Sequence, residues 1–181
     1  MKKSTIKDVA EYTGLSITTI SRYINRNYPI SVDSEEKIKE AIRVLGYKPN
    51  LVARSLKKNC TGIVGLIVTD ISNGFFMNVA KGMEDILWEE EYQIMFASND
   101  GSLEKEHRLI AIFEERRIDG LVIAPSDTCP DTINQFAGTG TPVIVIGRRM
   151  DGMAAQAVAG KNPYEMGAEA GRIIIGRIRA D

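Results

Sequence analysis

The spacing of hydrophobic and polar positions changes near residue 60 of the chain. Before that point apolar residues recur at helical spacing, as Ile38, Ala41, Ile42 and Leu45 do, and potential caps and glycines separate short segments. After it, short apolar runs alternate with amphipathic stretches. The pattern predicts an all-α domain followed by an α/β lobe with a parallel sheet.

Three helices are predicted in the first part of the chain. The first extends from a cap at Ser4 or Thr5 to Gly14, and the second begins with a cap at Ser16. The third extends from a cap at Ser31 or Asp33 to Gly46. The first two form a helix, a tight turn and a helix. The outer face of the second is polar around Arg22, which suits the major groove, where an arginine can fork onto a guanine. A polar face turned to solvent is the alternative.

Strands and helices are predicted to alternate beyond residue 60. The strands are Gly62–Val68, Tyr92–Ser98, Gly120–Ala124 and Pro142–Ile146, and the helices are Asn78–Glu91, Leu103–Arg117 and Asp131–Ala137. Leu109, Ile112 and Phe113 are expected to share the apolar face of the second of these helices. This alternation predicts a parallel sheet with helices on both faces.

A ligand site is expected beyond the carboxyl ends of these strands, where open α/β sheets bind their ligands. The residues there are Asp70, Phe75, Phe76, Asn99, Asp100, Ser126, Asp127, Arg148 and Arg149. Aromatic rings with carboxylates, an amide and arginines suit a sugar-like or other small polar ligand. The sequence contains no phosphate loop, nucleophile elbow or metal-ligand motif, and its single histidine, His107, is interpreted as a surface residue. We therefore expect neither an enzyme nor a cofactor.

Composition and charge refine this division. Apolar residues make up 44% and charged residues 26% of the 181, as in soluble globular proteins. Residues 1–60 carry a net charge of +6 and residues 61–181 one of −7. The basic part indicates a polyanionic partner, or a solvated basic surface. The absence of a long apolar run, of a secretory signal and of a cysteine framework favours the cytoplasm and no membrane contact.

Several segments resemble the signature of the lac-repressor (LacI/GalR) family of bacterial transcription regulators. In the basic part they are Thr5–Ala10, Gly14–Ser16, Thr19–Asn25, Ile30–Ser31, Leu45–Asn50 and Ala53–Leu56. Further on, Asp70–Phe76, Asn99–Asp100, Arg116–Gly120 and Asn162–Gly167 are similar to parts of the family's sensor domain. That domain has the type I periplasmic-binding-protein-like fold.

The resemblance implies a sequence-specific regulator, a repressor, that binds a double-stranded DNA operator as a homodimer near the bacterial nucleoid. It implies base contacts from Ile17, Thr18 and Arg22. The implied contacts with the DNA backbone are Thr5, Ser16, Thr19, Ser21, Asn25, Ser31, Tyr47 and Asn50. Residues Leu51–Lys57 would form a hinge helix that places Ala53 and Leu56 in the minor groove. Without the resemblance, Leu56 packing against the next domain is the simpler interpretation.

The expected domains are a helix-turn-helix domain at 1–48, a hinge and linker at 49–60, and a truncated sensor lobe at 61–181. Family members continue into a second lobe, so the effector site expected here is partial. Its residues are Asp70, Phe75, Phe76, Asn99, Asp100, Ser126 and Arg148, and the family's effectors are of sugar or purine type. A stand-alone sugar-binding lobe of a solute-binding protein is the alternative, although it would carry a signal peptide in place of the basic helices. A flavodoxin-like enzyme is disfavoured because no catalytic cluster is present.

Overall fold

The computed structural model of the chain describes residues 4–25, 28–48, 60–126, 130–147 and 152–180. Contacts divide the chain into two compact units, Met1–Lys57 and Lys58–Asp181. We refer to them as the helical unit and the α/β unit. The predicted hinge helix, with Asn50, Ala53 and Leu56, lies outside the described residues, as do Asp127, Arg148 and Arg149.

The described part of the helical unit contains helices α1 (Ile6–Thr13), α2 (Ile17–Asn25) and α3 (Val32–Leu45). Thr5 caps α1 in a capping box with Asp8, whose side chain accepts from the Thr5 backbone N–H at 2.6 Å. Gly14 follows α1 at φ +67°, a left-handed conformation that glycine adopts without steric cost. The predicted helix, tight turn and helix are therefore confirmed.

One small core holds these helices together. Val9, Ile20, Ile38 and Ala41 are fully buried, and Tyr47 is nearly so. Around them pack the partly buried side chains of Ile6, Ala10, Leu15, Tyr23, Ile24, Ile30, Ile42 and Leu45. Ile38, Ala41, Ile42 and Leu45, which were predicted to share one helix face, all belong to this core.

The described part of the α/β unit contains a five-stranded parallel sheet with the strand order β2-β1-β3-β4-β5. The strands are β1 (Ile63–Val68), β2 (Gln93–Ser98), β3 (Gly120–Ile123), β4 (Val143–Ile146) and β5 (Gln156–Val158). The helices are α4 (Gly74–Glu89), α5 (Leu103–Glu115), α6 (Asp131–Ala137) and α7 (Pro163–Ala180). Among the described helices none is long and apolar enough to cross a membrane.

Successive strand residues point to opposite faces of the sheet, and each face has its own core. Val64, Leu66 and Val68 of β1 pack in a cluster with residues of α4 and α7. Ile67 of the same strand packs in the other cluster, with residues of α5 and α6. Helices thus cover both faces, as the alternation of strands and helices predicts.

Helices α4 and α7 cross at two glycines. A Cβ atom on Gly82 would lie 2.0 Å from the carbonyl oxygen of Tyr164, and one on Gly167 would lie 1.9 Å from that of Val79. Both distances are far below van der Waals contact. Glycine is therefore required at both positions for the two helices to pack at this separation.

Three details of the sequence-based prediction were wrong. Helix α4 begins at Gly74 instead of Asn78, because the Asn73 side chain caps it by accepting from the Phe75 N–H at 2.9 Å. On α5, Ile112 was expected to be buried but is 37% exposed, whereas Ile110 is buried. Strand β5 was missed, since three residues are too few to show a period.

Candidate nucleic-acid interface and ligand site

The exposed face of α2 carries the three predicted base contacts. Ile17 is 44% exposed, and Thr18 and Arg22 are also exposed. The opposite side of the helix buries Ile20 in the core. Ile17, Thr18 and Arg22 are at positions i, i+1 and i+5, which fall on one side of a helix. Their side chains therefore combine an apolar group, a hydroxyl and a cation on that side.

Three of the predicted backbone contacts are caps at the starts of the three helices. Thr5 caps α1 and Ser31 caps α3, while Ser16 Oγ accepts from the Thr19 N–H at the start of α2, at 3.1 Å. Helix N-termini present backbone N–H groups and a partial positive charge, both of which favour phosphate oxygens. The start of α2 suits a DNA backbone best, because its first turn has no acidic residue, whereas Asp8 lies in the first turn of α1 and Asp33 and Glu35 lie in that of α3.

The remaining predicted backbone contacts have local roles as well. Asn25 Nδ2 donates to the Ser21 carbonyl oxygen at 2.7 Å and to Ser21 Oγ at 3.1 Å, which closes the last turn of α2. Tyr47 is only 9% exposed, and this burial raises the pKa of its phenol. Tyr47 is thus chiefly a core residue of the helical unit. Asn50, the last of this group, lies outside the described residues.

Charges are arranged differently on α2 and α3. On α3, Lys37 pairs with Asp33, Lys39 with Glu35 and Arg43 with Glu40, at 2.6–2.8 Å. On α2, the Arg22 guanidinium lies 5.2 Å from the centre of the Tyr28 ring instead. The cations of α3 are therefore neutralised within their own helix, whereas the cation of α2 is presented on the surface.

On the α/β unit, two carboxylates stand near each other beyond β1 and β2. Asp70 Oδ1 accepts from the hydroxyl and the N–H of Ser72, at 2.7 and 2.8 Å, and these bonds lower the pKa of Asp70, against the opposing effect of the Asp100 charge. Hydrogen bonds from Lys105 and Ser98 lower the pKa of Asp100. Both carboxylates are exposed and charged at neutral pH, so they can accept from ligand hydroxyls.

Two other predicted site residues meet at a buried carboxylate. Asn99 is fully buried and Glu106 is 2% exposed. Glu106 Oε2 accepts from Asn99 Nδ2 and from the Ser126 N–H, both at 2.7 Å. The Asn99 amide also donates to the Ala124 carbonyl oxygen at 3.2 Å. Asn99 thus ties the ends of β2 and β3 together.

Ser126 and the two phenylalanines complete the described part of this site. The Ser126 hydroxyl is buried and has no hydrogen-bond partner among the described residues. Phe75 is 38% exposed in the first turn of α4, and its ring meets that of Phe76 edge to face at 5.3 Å. A buried, unpaired hydroxyl and a half-exposed ring are both groups that a small polar ligand can use.

Sequence reasoning missed two residues that matter here. Glu106 has a signal, since it shares its helix face with Ile110 and Phe113 at i+4 and i+7, where a carboxylate is out of place. Tyr28 has none, because an isolated aromatic in a loop has no period. The surface location predicted for His107 is confirmed: it is exposed, and its Nε2 is 2.7 Å from Thr132 Oγ1.

Two protein-family models match the chain. Residues 5–50 match the model described as bacterial regulatory proteins, lacI family. Residues 61–178 match the model described as periplasmic binding proteins and sugar binding domain of LacI family. The two matches together include nearly all of the described residues of both units.

Individual proteins are similar over much of the chain. The ribose operon repressor of Bacillus subtilis is 34% identical over 167 residues, which is 92% of this chain and 50% of that protein. The HTH-type transcriptional repressor PurR of Vibrio cholerae is 39% identical over 124 residues, 68% of this chain and 37% of that protein. A crystal structure of a LacI-family transcriptional regulator from Silicibacter pomeroyi is similar to this chain with a TM-score of 0.70 and 27% identity. The match covers 86% of this chain and 47% of the chain in that structure. The chain thus spans about half the length, or less, of the proteins it matches.

Proposed function

The chain belongs to the lacI family of bacterial regulatory proteins, and from this premise we propose that it is a sequence-specific DNA-binding transcription regulator that acts as a repressor. The observation that carries the proposal is the exposed surface of α2, where Ile17, Thr18 and Arg22 stand together. An α-helix fits the major groove, and an arginine there forks onto guanine O6 and N7.

The neighbouring helix starts support the same proposal. Thr5, Ser16 and Ser31 stand at three helix N-termini, where they would contact phosphates. The side chains of Thr19, Ser21, Asn25 and Tyr47 would add further polar contacts with the DNA backbone. Asn50, Ala53 and Leu56 extend the proposal to a hinge at residues 49–60. There Leu56 would enter the minor groove, between the DNA-binding domain at 1–48 and the lobe at 61–181.

A second copy of the chain is part of the proposal. One helix reads only a short half-site, so specificity requires two copies about one helical turn of DNA apart. The α/β unit would contribute to an effector site through Asp70, Phe75, Phe76, Asp100, Ser126 and Arg148, with Asn99 as a buried support. The name of the similar ribose operon repressor and the description of the matched sugar binding domain favour an effector of sugar type, and the proposal extends to purine-type effectors. We place this regulator in the bacterial cytoplasm at the nucleoid, with no catalytic activity.

The proposal is tested by selecting duplexes from a random pool with the chain and measuring affinity for the selected and a scrambled duplex at several salt concentrations. We expect selective binding whose affinity falls steeply with salt. Arg22→Ala should weaken binding to the selected duplex by about 1–3 kcal/mol and change binding to the scrambled one little. Arg43→Ala is the matched control, because it removes the same side chain and charge from α3. Equal losses for the two variants, or no selection at all, would refute the proposal.

The hinge is tested separately with Leu56→Ala. A side chain that wedges between base steps kinks the duplex, so this variant should bend the selected duplex less in a circular-permutation gel. The helical unit should keep its circular dichroism spectrum. Unchanged bending would exclude the wedge while leaving base readout by α2 in place.

A further inference from the structure

Tyr28 is an exposed aromatic residue between α2 and α3. Its side chain is 66% exposed and does not belong to the core cluster of the helical unit. Its recorded ring contact is with Arg22, whose guanidinium carbon lies 5.2 Å from the ring centre. That separation is within the roughly 6 Å at which a cation over an aromatic face is attracted. Packing of the core therefore does not explain the aromatic side chain, whereas the contact with Arg22 does.

The contact restricts the side chain that the proposed base readout needs most. A free arginine on a helix surface samples many rotamers, and holding it in one orientation costs rotamer entropy. Bidentate recognition of a guanine requires the planar guanidinium in one orientation. Contact with the Tyr28 ring restricts these rotamers before DNA arrives, and the ring offers no carboxylate oxygen that would occupy the N–H groups.

Among the described residues, no carboxylate forms an ion pair with Arg22. The carboxylates Asp33, Glu35 and Glu40 of α3 are occupied by Lys37, Lys39 and Arg43. A carboxylate partner would also hold Arg22, but it would compete with the guanine for the same N–H groups. An aromatic ring attracts the cation through its π-system and provides no carboxylate oxygen, so it leaves the N–H groups free to bind the guanine.

We propose that Tyr28 is a specificity-determining positioning residue, which holds Arg22 in the orientation that reads a base. This inference rests on the proposed DNA-binding function. The contact requires the aromatic ring and not the hydroxyl group, so we expect phenylalanine to position Arg22 as well as tyrosine does. A surface cation–π contact is worth about 0.5–1 kcal/mol, which corresponds to a two- to fivefold change in affinity for each Arg22 that contacts a base.

The first experiment detects the contact without DNA. Proton NMR of the full chain should show the side-chain resonances of Arg22 shifted upfield by the ring current of Tyr28. The shift should persist in Tyr28→Phe and disappear in Tyr28→Leu. An Arg22 spectrum that is the same in Tyr28→Leu and in the wild type would overturn the proposal, whatever the chain does with DNA.

The second experiment is a double-mutant cycle on the selected and scrambled duplexes. Tyr28→Leu should weaken binding to the selected duplex by two- to fivefold for each half-site and leave the scrambled duplex unchanged. Tyr28→Phe should stay within twofold of wild type. In the Arg22→Ala background, Tyr28→Leu should have no further effect, since the residue it positions is gone.

Each other outcome contradicts the proposal in a distinguishable way. Additive losses from Tyr28→Leu and Arg22→Ala would mean that Tyr28 contacts DNA on its own account. Equal losses on both duplexes would make it a backbone contact, and a loss in Tyr28→Phe would assign the role to the hydroxyl. Absence of any preferred duplex for the wild type would refute the DNA-binding function itself, while the NMR experiment would still report on the contact. Circular dichroism of each variant controls for folding.

Discussion

The helical unit takes its candidate base contacts from a single helix, whereas the α/β unit takes its described ligand contacts from segments that follow three different strands. Ile17, Thr18 and Arg22 lie within six consecutive residues of α2 and are exposed together. Asp70, Asp100 and Ser126 follow β1, β2 and β3 and come together only because these strands are neighbours in the sheet. Local structure is therefore enough to build the first site, and the second depends on the tertiary fold.

The two sites also differ in how their polar groups are held. In the helical unit, capping groups such as Thr5 and Ser16 bond to the backbone three residues further on, at the surface. In the α/β unit, Glu106 accepts from Asn99 and from Ser126 in the interior, and Ser126 lies twenty residues beyond Glu106 in the chain. A buried polar group that loses its partner is destabilised more than an exposed one. We therefore expect substitutions in the α/β unit to have the larger effects on stability.

The largest expected effect tests whether the two units unfold independently. Gly167→Ala forces α7 away from the Val79 carbonyl oxygen and should destabilise the α/β unit by about 3 kcal/mol. NMR signals of the α/β unit should report this loss in urea. NMR signals of the helical unit should keep their own unfolding midpoint.

Gly176→Ala is the matched control on the same helix. A Cβ at Gly176 meets no atom within 4 Å, so alanine should stabilise α7 by about 0.5–1 kcal/mol. Similar losses in the two variants would show that the close crossing of α4 and α7 is not the cause. A matching loss in the helical unit would show that the units unfold together.

A smaller effect is expected from the buried carboxylate. Glu106→Ala leaves the Asn99 amide and the Ser126 N–H without their acceptor and should destabilise the α/β unit by about 2 kcal/mol. Glu114→Ala, an exposed position on the same helix, should change the free energy of unfolding by less than about 0.5 kcal/mol. Chemical denaturation measures both. Equal free energies of unfolding for the two variants would assign Glu106 no structural role.

A local cap in the helical unit should matter less. Thr5→Ala removes the capping box at the start of α1 and should destabilise the helical unit by about 1 kcal/mol. Thr18→Ala, an exposed threonine on α2, should have little effect on stability. The unfolding midpoints of NMR signals from α1 to α3 provide the measurement. If Thr5→Ala destabilises the helical unit more than Glu106→Ala destabilises the α/β unit, the expectation that interior polar groups matter more than local caps is wrong.

The smallest expected effect concerns effectors of the 181-residue chain. Asp70, Phe75 and Asp100 are exposed, so a sugar-sized ligand resting on them stays largely in water, below the 70–90% burial typical of such ligands. Titration calorimetry with a sugar, a nucleobase and a phosphosugar should give weak or no binding. Affinity for the selected duplex should change by less than about twofold, because a ligand shifts an equilibrium only through its differential affinity for two states. Micromolar binding that changes DNA affinity tenfold would contradict this expectation.

Sequence by itself determined the features that depend on neighbours along the chain. The period of apolar residues located α1 to α3, and the cap residues Thr5, Ser16 and Ser31 and the turn glycines Gly14 and Gly46 bounded them. The alternation of apolar runs with amphipathic stretches predicted β1 to β4 and helices on both faces. These elements follow from steric preferences and hydrogen bonds that act within a few residues, so one sequence suffices to read them.

Tertiary structure alone decided the features that depend on residues far apart in the chain. Strand β5 exists because β4 offers it an edge to pair with, and Ile110 is buried in place of Ile112 because of how α5 lies on the sheet. Asn99 donates to Glu106 because the ends of β2 and β3 converge there. Each of these outcomes depends on which elements become neighbours, a long-range choice that the local pattern of apolar and polar residues does not encode.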